Sequence, residues 1–410
     1  MNGRTTLARS TFLAAGGALL AAAARPSFAA ARTPRVALGD DAFVRDAAAQ
    51  LRGRTIGIVT NPTGVLSTGE PLIDAAVRAG VAVKALFGPE HGIRGTAGAG
   101  EVVGTTSDAK TGLPVYSLYG STRRPTAEML AGIDVLVFDI QDVGARPYTY
   151  VSTMAYVMQA AGQYGKDVWV LDRPNPTGGV LIDGPVLEPK FHSFVGLYPI
   201  PERHGMTVGE LARLINDHFG VGCRLRVVPM QGWTRDMLWA DTGLTWIPTS
   251  PNMPFARTTL VYLATGLVDE GGVNNGVGTD RPFEYAGGFG FDAAAFRAQL
   301  AARAIPGVEF EPAEWVPVRG FWSGKTLAGV SINLTDPHLF PSVRTAVEFL
   351  AAARAQGKFH VAHEAIMDRD WGTDAVRLGL EGGASPDAIV SAWRSGLAAF
   401  RTLRGRYLLY

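Results

Sequence analysis

One stretch of the sequence decides the fold: Val83-Lys84-Ala85-Leu86-Phe87-Gly88-Pro89-Glu90-His91-Gly92. It is an apolar segment that stops at a Gly-Pro pair and presents a Glu-His pair. The same construction recurs at Ile56-Gly57-Ile58-Val59 before Asn61, at Val135-Leu136-Val137-Phe138 before Asp139, and at Val168-Trp169-Val170-Leu171 before Asp172. Short apolar segments are typical of buried parallel strands, and ligands bind at the carboxyl ends of such strands. The sequence therefore predicts an active site made from four strand ends, with Glu90 and His91 as its most reactive part.

Segments with a helical spacing of apolar residues separate these strands. Residues 70–79 lie between the first two strands, and residues 153–164 precede the last one. Strands that alternate with helices predict an α/β fold built on a mostly parallel sheet with right-handed crossovers. Further along, Thr207-Val208-Gly209-Glu210 has the pattern of a capping box, which predicts a helix start and a capping role for Glu210.

The composition changes after Phe291, which indicates a second domain. Ala-rich helical segments there surround a predicted strand at residues 330–334, and an amphipathic helix is predicted over residues 386–404. We therefore divide the chain into an export signal (1–31), a catalytic domain (32–290) and a smaller C-terminal α+β domain (291–410).

Composition and the first residues indicate the class of protein and its cellular location. The chain has 410 residues, of which 47% are hydrophobic, and its formal charge is +1, so a basic surface for nucleic acid is not expected. Arg4 and Arg9 precede an apolar segment at residues 11–24, and small residues follow it, as in a secretory signal peptide. No other segment is apolar over the length of a membrane span. The sequence predicts an exported protein, periplasmic or secreted.

Several kinds of site are excluded by missing motifs. The sequence has no G-x-G-x-x-G after a strand, no phosphate-binding loop, no G-x-S-x-G elbow and no set of residues with metal-ligand spacing. We therefore expect neither a cofactor nor a metal. Carboxylates are abundant at the predicted strand ends instead, and paired carboxylates suit acid/base chemistry such as glycoside hydrolysis. Nearby aromatic residues, Tyr148 among them, suit either sugar stacking or ordinary core packing.

Five longer motifs resemble one known family. They are Gly88-Pro89-Glu90-His91-Gly92 with Arg94-Gly95, Phe138-Asp139-Ile140-Gln141-Asp142-Val143-Gly144-Ala145-Arg146, Asp172-Arg173-Pro174-Asn175-Pro176, His204-Gly205-Met206-Thr207 and Gly278-Thr279-Asp280-Arg281-Pro282-Phe283-Glu284. Together they resemble the DUF1343 family, which includes the exo-β-N-acetylmuramidases of the NamZ type. The resemblance extends from about Arg54 to Tyr410.

The resemblance implies a glycosidase that releases N-acetylmuramic acid from the non-reducing end of peptidoglycan-derived saccharides. It also implies a Rossmann-like catalytic domain without nucleotide, an auxiliary domain, and a cleft between them. The catalytic glutamate of the family falls on Glu90, with His91 beside it.

One loop departs from the family pattern. Where relatives commonly read E-G-T-N-x-S-E-G-R-G-T, this chain reads Glu270-Gly271-Gly272-Val273-Asn274-Asn275-Gly276-Val277-Gly278-Thr279. Asn275 and Val277 replace a Glu and an Arg, and the lost charge pair would change substrate preference or reduce turnover. An exported binding protein for cell-wall fragments, with little or no turnover, is therefore the alternative function.

Roles follow for the individual residues. Glu90 is expected to be the general acid/base, and Asp139 or Asp142 the second carboxylate, which would polarise the substrate's 2-acetamido group. Arg146 or Arg173 would bind the lactyl carboxylate of muramic acid, or else form a salt bridge to Asp142 or Asp172. The full set of expected substrate-binding residues is Asn61, Arg94, Gln141, Arg146, Tyr148, Asp172, Arg173, Asn175, His204, Asn252, Glu270, Asn274 and Glu284.

Overall fold

A computed structural model describes residues 36–90, 92–93, 106–120 and 122–410. The predicted export signal, His91 and Arg94 lie outside the described residues. Among the described residues, no helix has both the length and the apolar character that crossing a membrane requires.

Helices and strands alternate along the first half of the chain, as the sequence predicts. The strands are β1 (Thr55–Thr60), β2 (Ala82–Gly88), β3 (Thr106–Ser107), β4 (Pro114–Ser117), β5 (Val135–Asp139), β6 (Asp167–Leu171), β7 (Asp183–Val186), β8 (Pro201–Arg203), β9 (Arg224–Val228), β10 (Tyr285–Gly288), β11 (Val308–Trp315) and β12 (Leu327–Leu334). The α-helices are α1 (Gly39–Gln50), α2 (Leu72–Arg78), α3 (Tyr150–Gln163), α4 (Val208–Asp217), α5 (Thr258–Thr265), α6 (Ala293–Ala302), α7 (Ser342–Ala355), α8 (Glu364–Trp371), α9 (Ala375–Glu381), α10 (Pro386–Ser391) and α11 (Arg394–Arg404). Short 3₁₀ turns lie at Pro189–Phe191, Trp239–Thr242 and Asp269–Gly271.

The central sheet has seven strands in the order β3-β4-β2-β1-β5-β6-β9. All neighbouring strands are parallel except β3 and β4, which are antiparallel. This confirms the predicted mostly parallel sheet. The strand order reverses direction at β1, so the carboxyl ends of β1, β2 and β5 lie side by side at the switch point where α/β proteins bind ligands.

Helices cover both faces of this sheet because its inner strands are apolar on both sides. On one face, Met154 and Met158 of α3 and Leu211 of α4 pack against Phe138. On the other face, α1 and α2 pack against alternate residues of β1. Each fully buried side chain of this size stabilises the fold by about 1.5–3 kcal/mol.

The predicted capping box at the start of α4 is present. The Thr207 hydroxyl accepts from the Glu210 backbone N–H at 3.2 Å, and the Glu210 carboxylate accepts from the Thr207 N–H at 3.0 Å. The same carboxylate also accepts from Arg235 at 2.7 Å and from the backbone N–H of Leu409 at 2.9 Å. Glu210 therefore fixes the start of α4 and the C-terminal segment at once.

A second, antiparallel sheet with the order β10-β12-β11 organises the C-terminal part of the chain. Helices α6 and α7 cover it through a cluster that includes Phe296, Phe310 and Phe349. Strand β10 precedes residue 291 and pairs with β12, which follows it. The domain boundary between residues 290 and 291 stays a prediction.

The predicted single amphipathic helix over residues 386–404 is wrong, because the chain forms two helices there, α10 and α11. Trp393 lies at the break, where it is 6% exposed and its ring centroid is 6.4 Å from that of Trp371. Helical periodicity alone did not predict the break, since burial of this indole depends on a residue in another helix.

Candidate active site

The site lies at the carboxyl edge of the central sheet. Register places Thr60 at the end of β1 beside Asp139 at the end of β5, and Gly88 at the end of β2 beside Ser117 of β4. The polar residues that follow these strands therefore gather at one edge, as the sequence predicts.

Glu90 follows β2 and is partly exposed. Its Oε2 accepts a hydrogen bond from the Thr149 hydroxyl at 3.1 Å, immediately before α3. Burial, and then the negative charge and hydrogen bonding of Glu90, raise the pKa of the Tyr119 hydroxyl. Glu90 is thus partly exposed and has the hydroxyl groups of Thr149 and Tyr119 among its neighbours.

Two tyrosines beside Glu90 are held by one threonine. The Tyr148 and Thr249 hydroxyls are 2.7 Å apart, and the Tyr150 hydroxyl donates to the Thr249 carbonyl oxygen at 2.5 Å. Burial raises the pKa of Tyr148 most, and the charges of Asp142 and Glu90 raise it further. Tyr148 therefore lies within electrostatic range of two carboxylates and stays protonated.

Asp142 is the strand-end carboxylate paired with His204. The Oδ2 atom of Asp142 accepts from the Gly144 N–H at 2.7 Å and lies 3.7 Å from Nε2 of His204, whose ring is fully buried. The Nδ1 atom of His204 accepts from the Met206 N–H at 3.2 Å, so the proton of the neutral ring sits on Nε2 and faces Asp142.

Gly144 is required at this turn. Its φ is +81°, and a Cβ there would lie 2.4 Å from Oδ1 of Asn175. A larger residue would displace the Asp142 loop.

Asp139 and Arg173 belong to a buried ion triad. Arg173 donates to Asp139 at 2.6 Å and to Asp40 at 2.6 Å, and the three side chains are at most 3% exposed. Burial raises the pKa of both aspartates, although the guanidinium opposes this. The geometry favours a structural role for Asp139, and the role of Asp142 stays a prediction.

Arg146 is also buried in an ion pair. It donates to Glu202 at 2.6 Å and to the Asp370 carbonyl oxygen at 3.1 Å. Burial raises the pKa of Glu202 to about 7. The sequence predicted either substrate binding or salt bridges to Asp142 or Asp172 for the two arginines. Salt bridges are present, but those partners are wrong, since the carboxylates are Glu202, Asp139 and Asp40.

Three further predicted residues hold the backbone of this edge together. Asp172 accepts from the Gly209 N–H at 2.7 Å, from the Thr207 hydroxyl at 2.8 Å and from the Tyr410 hydroxyl at 2.9 Å. Asn175 accepts from the backbone N–H and the hydroxyl of Thr177 and donates to the Met206 carbonyl oxygen. Gln141 donates to the carbonyl oxygens of Asp142 and Pro174.

Asn61 lies closer to the reactive groups. Its Oδ1 accepts from the backbone N–H of Thr63 at 3.0 Å and from the Thr63 hydroxyl at 2.5 Å. Burial raises the pKa of Tyr150 and Asn61 lowers it in part, so the amide lies close to Tyr150.

Three of the remaining predicted residues, Glu270, Asn252 and Asn274, contact the C-terminal part of the chain, whereas Glu284 pairs with two arginines that precede it. Glu270 is 3.1 Å from His363, Asn252 accepts from Arg319 at 2.8 Å, Asn274 accepts from the Trp315 indole at 2.9 Å, and Glu284 pairs with Arg257 at 3.0 Å and Arg281 at 2.9 Å. Glu284 also lines a cavity of about 480 Å³ whose walls are mainly apolar.

The two substituted loop positions are neutral and packed. Asn275 accepts from the Val277 N–H at 3.2 Å and donates to the Thr265 carbonyl oxygen at 3.3 Å, and Val277 packs against the C-terminal core. The loop therefore keeps its shape without a Glu-Arg pair.

Sequence reasoning missed Tyr119, Thr149 and Thr249. Tyr119 follows β4, whose four residues begin with a proline and were too short to be recognised as a strand. Thr149 lies between two aromatic residues and belongs to no recognised motif. The residues around Thr249 form no pattern that would predict a functional role. No group of three or more His, Cys, Asp or Glu residues within the described ranges is arranged to hold a metal ion.

Together, a parallel sheet and a carboxylate-lined edge define an α/β protein equipped for acid/base chemistry. The family models described as exo-β-N-acetylmuramidase NamZ, N-terminal and C-terminal, match residues 56–257 and 260–410. The chain therefore belongs to the NamZ exo-β-N-acetylmuramidase family, which confirms the resemblance seen in its motifs.

Individual relatives agree with this assignment. The peptidoglycan β-N-acetylmuramidase NamZ of Bacillus subtilis (strain 168) is 42% identical over 412 residues, which cover 99% of this chain and 100% of the relative. Two crystal structures of DUF1343 family proteins from Bacteroides fragilis NCTC 9343 have TM-scores of 0.86 and 0.73, at 36% and 30% identity. Each alignment covers 92% of this chain and 99% of the other.

Proposed function

We propose that this protein is an exo-acting β-N-acetylmuramidase that releases N-acetylmuramic acid from the non-reducing end of peptidoglycan fragments. The full-length similarity to the Bacillus subtilis enzyme supports the reaction. The observation that carries the assignment of Glu90 is its partial exposure at the end of β2, since Asp139 and Asp172 are fully buried.

The reaction begins at the glycosidic oxygen. Glu90, protonated, donates its proton to that oxygen as the bond to C1 breaks. The acetamido oxygen of the N-acetylmuramic acid residue then bonds to C1 of that residue. Asp142 accepts a hydrogen bond from the amide N–H and stabilises the positive charge that develops on the acetamido group. Water next attacks C1 and loses a proton to Glu90, which restores both the enzyme and the acetamido group. The backbone N–H of Gly144 holds Asp142 in place throughout.

The Glu90 role is tested with a chromogenic N-acetylmuramide and with the disaccharide of N-acetylmuramic acid and N-acetylglucosamine. Glu90→Gln keeps the shape of the side chain but removes the proton, so we expect kcat to fall about 10²- to 10⁴-fold with little change in KM. The control is Glu128→Gln, an exposed glutamate on the same half of the chain. Normal turnover by Glu90→Gln would overturn the assignment.

The substituted loop at Asn275 and Val277 is the reason for considering a second function. Because Asn275 and Val277 lack the charges that relatives carry, the protein would act as a binding module if it retained saccharides without cleaving them. Calorimetry with the disaccharide distinguishes the two functions, since binding without release supports the module. Absence of both binding and release contradicts both.

Export is part of the proposal. The pattern of residues 1–31 supports cleavage of a signal peptide and a periplasmic or secreted location. The mass of the protein recovered from cell fractions tests this, because an intact N-terminus in the cytoplasm would contradict it.

A further inference from the structure

A third arginine lies near the proposed acid, and it differs from Arg146 and Arg173 in its surroundings. Arg123 is exposed, and its Cζ atom is 4.3 Å from the centroid of the Phe194 ring. No carboxylate among the described residues pairs with its guanidinium. Stacking on an aromatic ring orients a guanidinium while its edge keeps N–H donors for an incoming anion.

Phe194 connects Arg123 to the catalytic residues. Its ring stacks on Tyr156 at a centroid distance of 5.9 Å and an angle of 10°, and it lies 6.2 Å from the Tyr119 ring. Tyr156 lies two helical turns after Thr149, so both residues lie on one face of α3. Thr149 and Tyr119 both contact Glu90. The rings of Tyr119, Tyr156 and Phe194 therefore lie between Glu90 and Arg123.

The charges agree with this arrangement. Both groups act on the pKa of the Tyr119 hydroxyl, because burial and Glu90 raise it while Arg123 lowers it. Glu90 and Arg123 therefore both lie close enough to Tyr119 to act on its hydroxyl. Among the described residues Arg123 pairs with no carboxylate, so its guanidinium is available to an anion on a bound sugar.

We propose that Arg123 is the specificity-determining residue that binds the lactyl carboxylate of N-acetylmuramic acid. This rests on the proposed function, because the lactyl carboxylate is what distinguishes the muramic acid residue from N-acetylglucosamine. The guanidinium binds the carboxylate through two parallel N–H donors, and Phe194 holds it in the required plane. The buried Arg146 and Arg173 support the fold instead.

The test compares Arg123→Gln with Arg124→Gln. Arg124 is equally exposed and adjacent in sequence, but it donates to Gln163 at 2.8 Å. On a chromogenic N-acetylmuramide we expect KM of Arg123→Gln to rise about 10- to 100-fold with kcat retained, the range for loss of a charge-assisted hydrogen bond. Arg123→Lys should recover part of the loss, and Arg124→Gln should behave as wild type.

A substrate whose lactyl carboxylate is converted to a neutral amide isolates the interaction. On this amide the KM of the wild type should rise by the same factor. The KM of Arg123→Gln should be the same for the acid and for the amide. If Arg123→Gln keeps the wild-type KM on the acid, the inference is wrong even though the enzyme is active.

Failure of the proposed function would look different, because wild type itself would then release no product. Calorimetry with free N-acetylmuramic acid and N-acetylglucosamine decides about Arg123 in that case. A preference for the acid in wild type that Arg123→Gln abolishes supports the inference, and the absence of this difference overturns it.

Discussion

Asp142 and His204 show how one residue prepares another for chemistry. The imidazole is buried, and its Nδ1 is occupied by a backbone N–H, so only one tautomer fits. In that tautomer the Nε2–H group lies 3.7 Å from Oδ2 of Asp142. Substrate assistance requires a carboxyl group beside the acetamido group, because it stabilises the positive charge that develops there.

We predict that Asp142→Asn lowers kcat about 10²- to 10³-fold and weakens inhibition by a thiazoline analogue of N-acetylmuramic acid. The analogue resembles the cyclic intermediate, so its affinity reports the same contact without turnover. Asp236→Asn, a surface substitution, is the control. Lack of inhibition of the wild-type enzyme would contradict substrate assistance, whatever the effect of the mutation.

At the scale of elements, Asp172 ties together the end of β6, the start of α4 and the C-terminal segment. It follows β6 directly and accepts hydrogen bonds from the other two. It is nevertheless fully buried, and burial raises its pKa to about 7 from an ordinary value of 3.8. Between these two values the folded protein binds a proton that the unfolded chain has released. The free energy of unfolding contributed by this group therefore falls as pH rises from about 4 to about 7.

We expect Asp172→Asn to flatten this dependence. The amide matches the carboxyl in shape, its oxygen can still accept from Gly209, and its NH₂ can donate to the hydroxyls of Thr207 and Tyr410. Urea unfolding at pH 5, 6, 7 and 8 measures the slope for both proteins. Glu202, with its pKa also near 7, contributes a slope of the same sign that should persist in the variant. An unchanged slope in Asp172→Asn would contradict the prediction.

At the scale of the whole molecule, the parallel sheet could be predicted because β1, β5 and β6 each contain a continuous apolar segment. The strand ends then placed Glu90, Asn61 and Asp142 at one edge without further information. Short strands such as β4 carry too few residues for a pattern, so Tyr119 was missed.

The partners of the buried arginines could not be predicted from the sequence. Arg173 binds Asp40, which lies 133 positions away, and Arg146 binds Glu202, which lies 56 positions away. Nothing local distinguishes an arginine that will be buried in such a pair from one that will meet substrate. Only the packing of the elements shows that Arg123, which belongs to no motif, is exposed while Arg146 and Arg173 are buried.

The bond between Tyr410 and Asp172 has a consequence for the order of synthesis. The two residues are 238 positions apart, so the ribosome adds the tyrosine long after the strand that it completes. Until then Asp172 lacks one of its donors and Trp233 lacks the ring that packs at right angles 5.2 Å from it. A nascent chain that stops short of Tyr410 therefore lacks two contacts at this edge of the sheet.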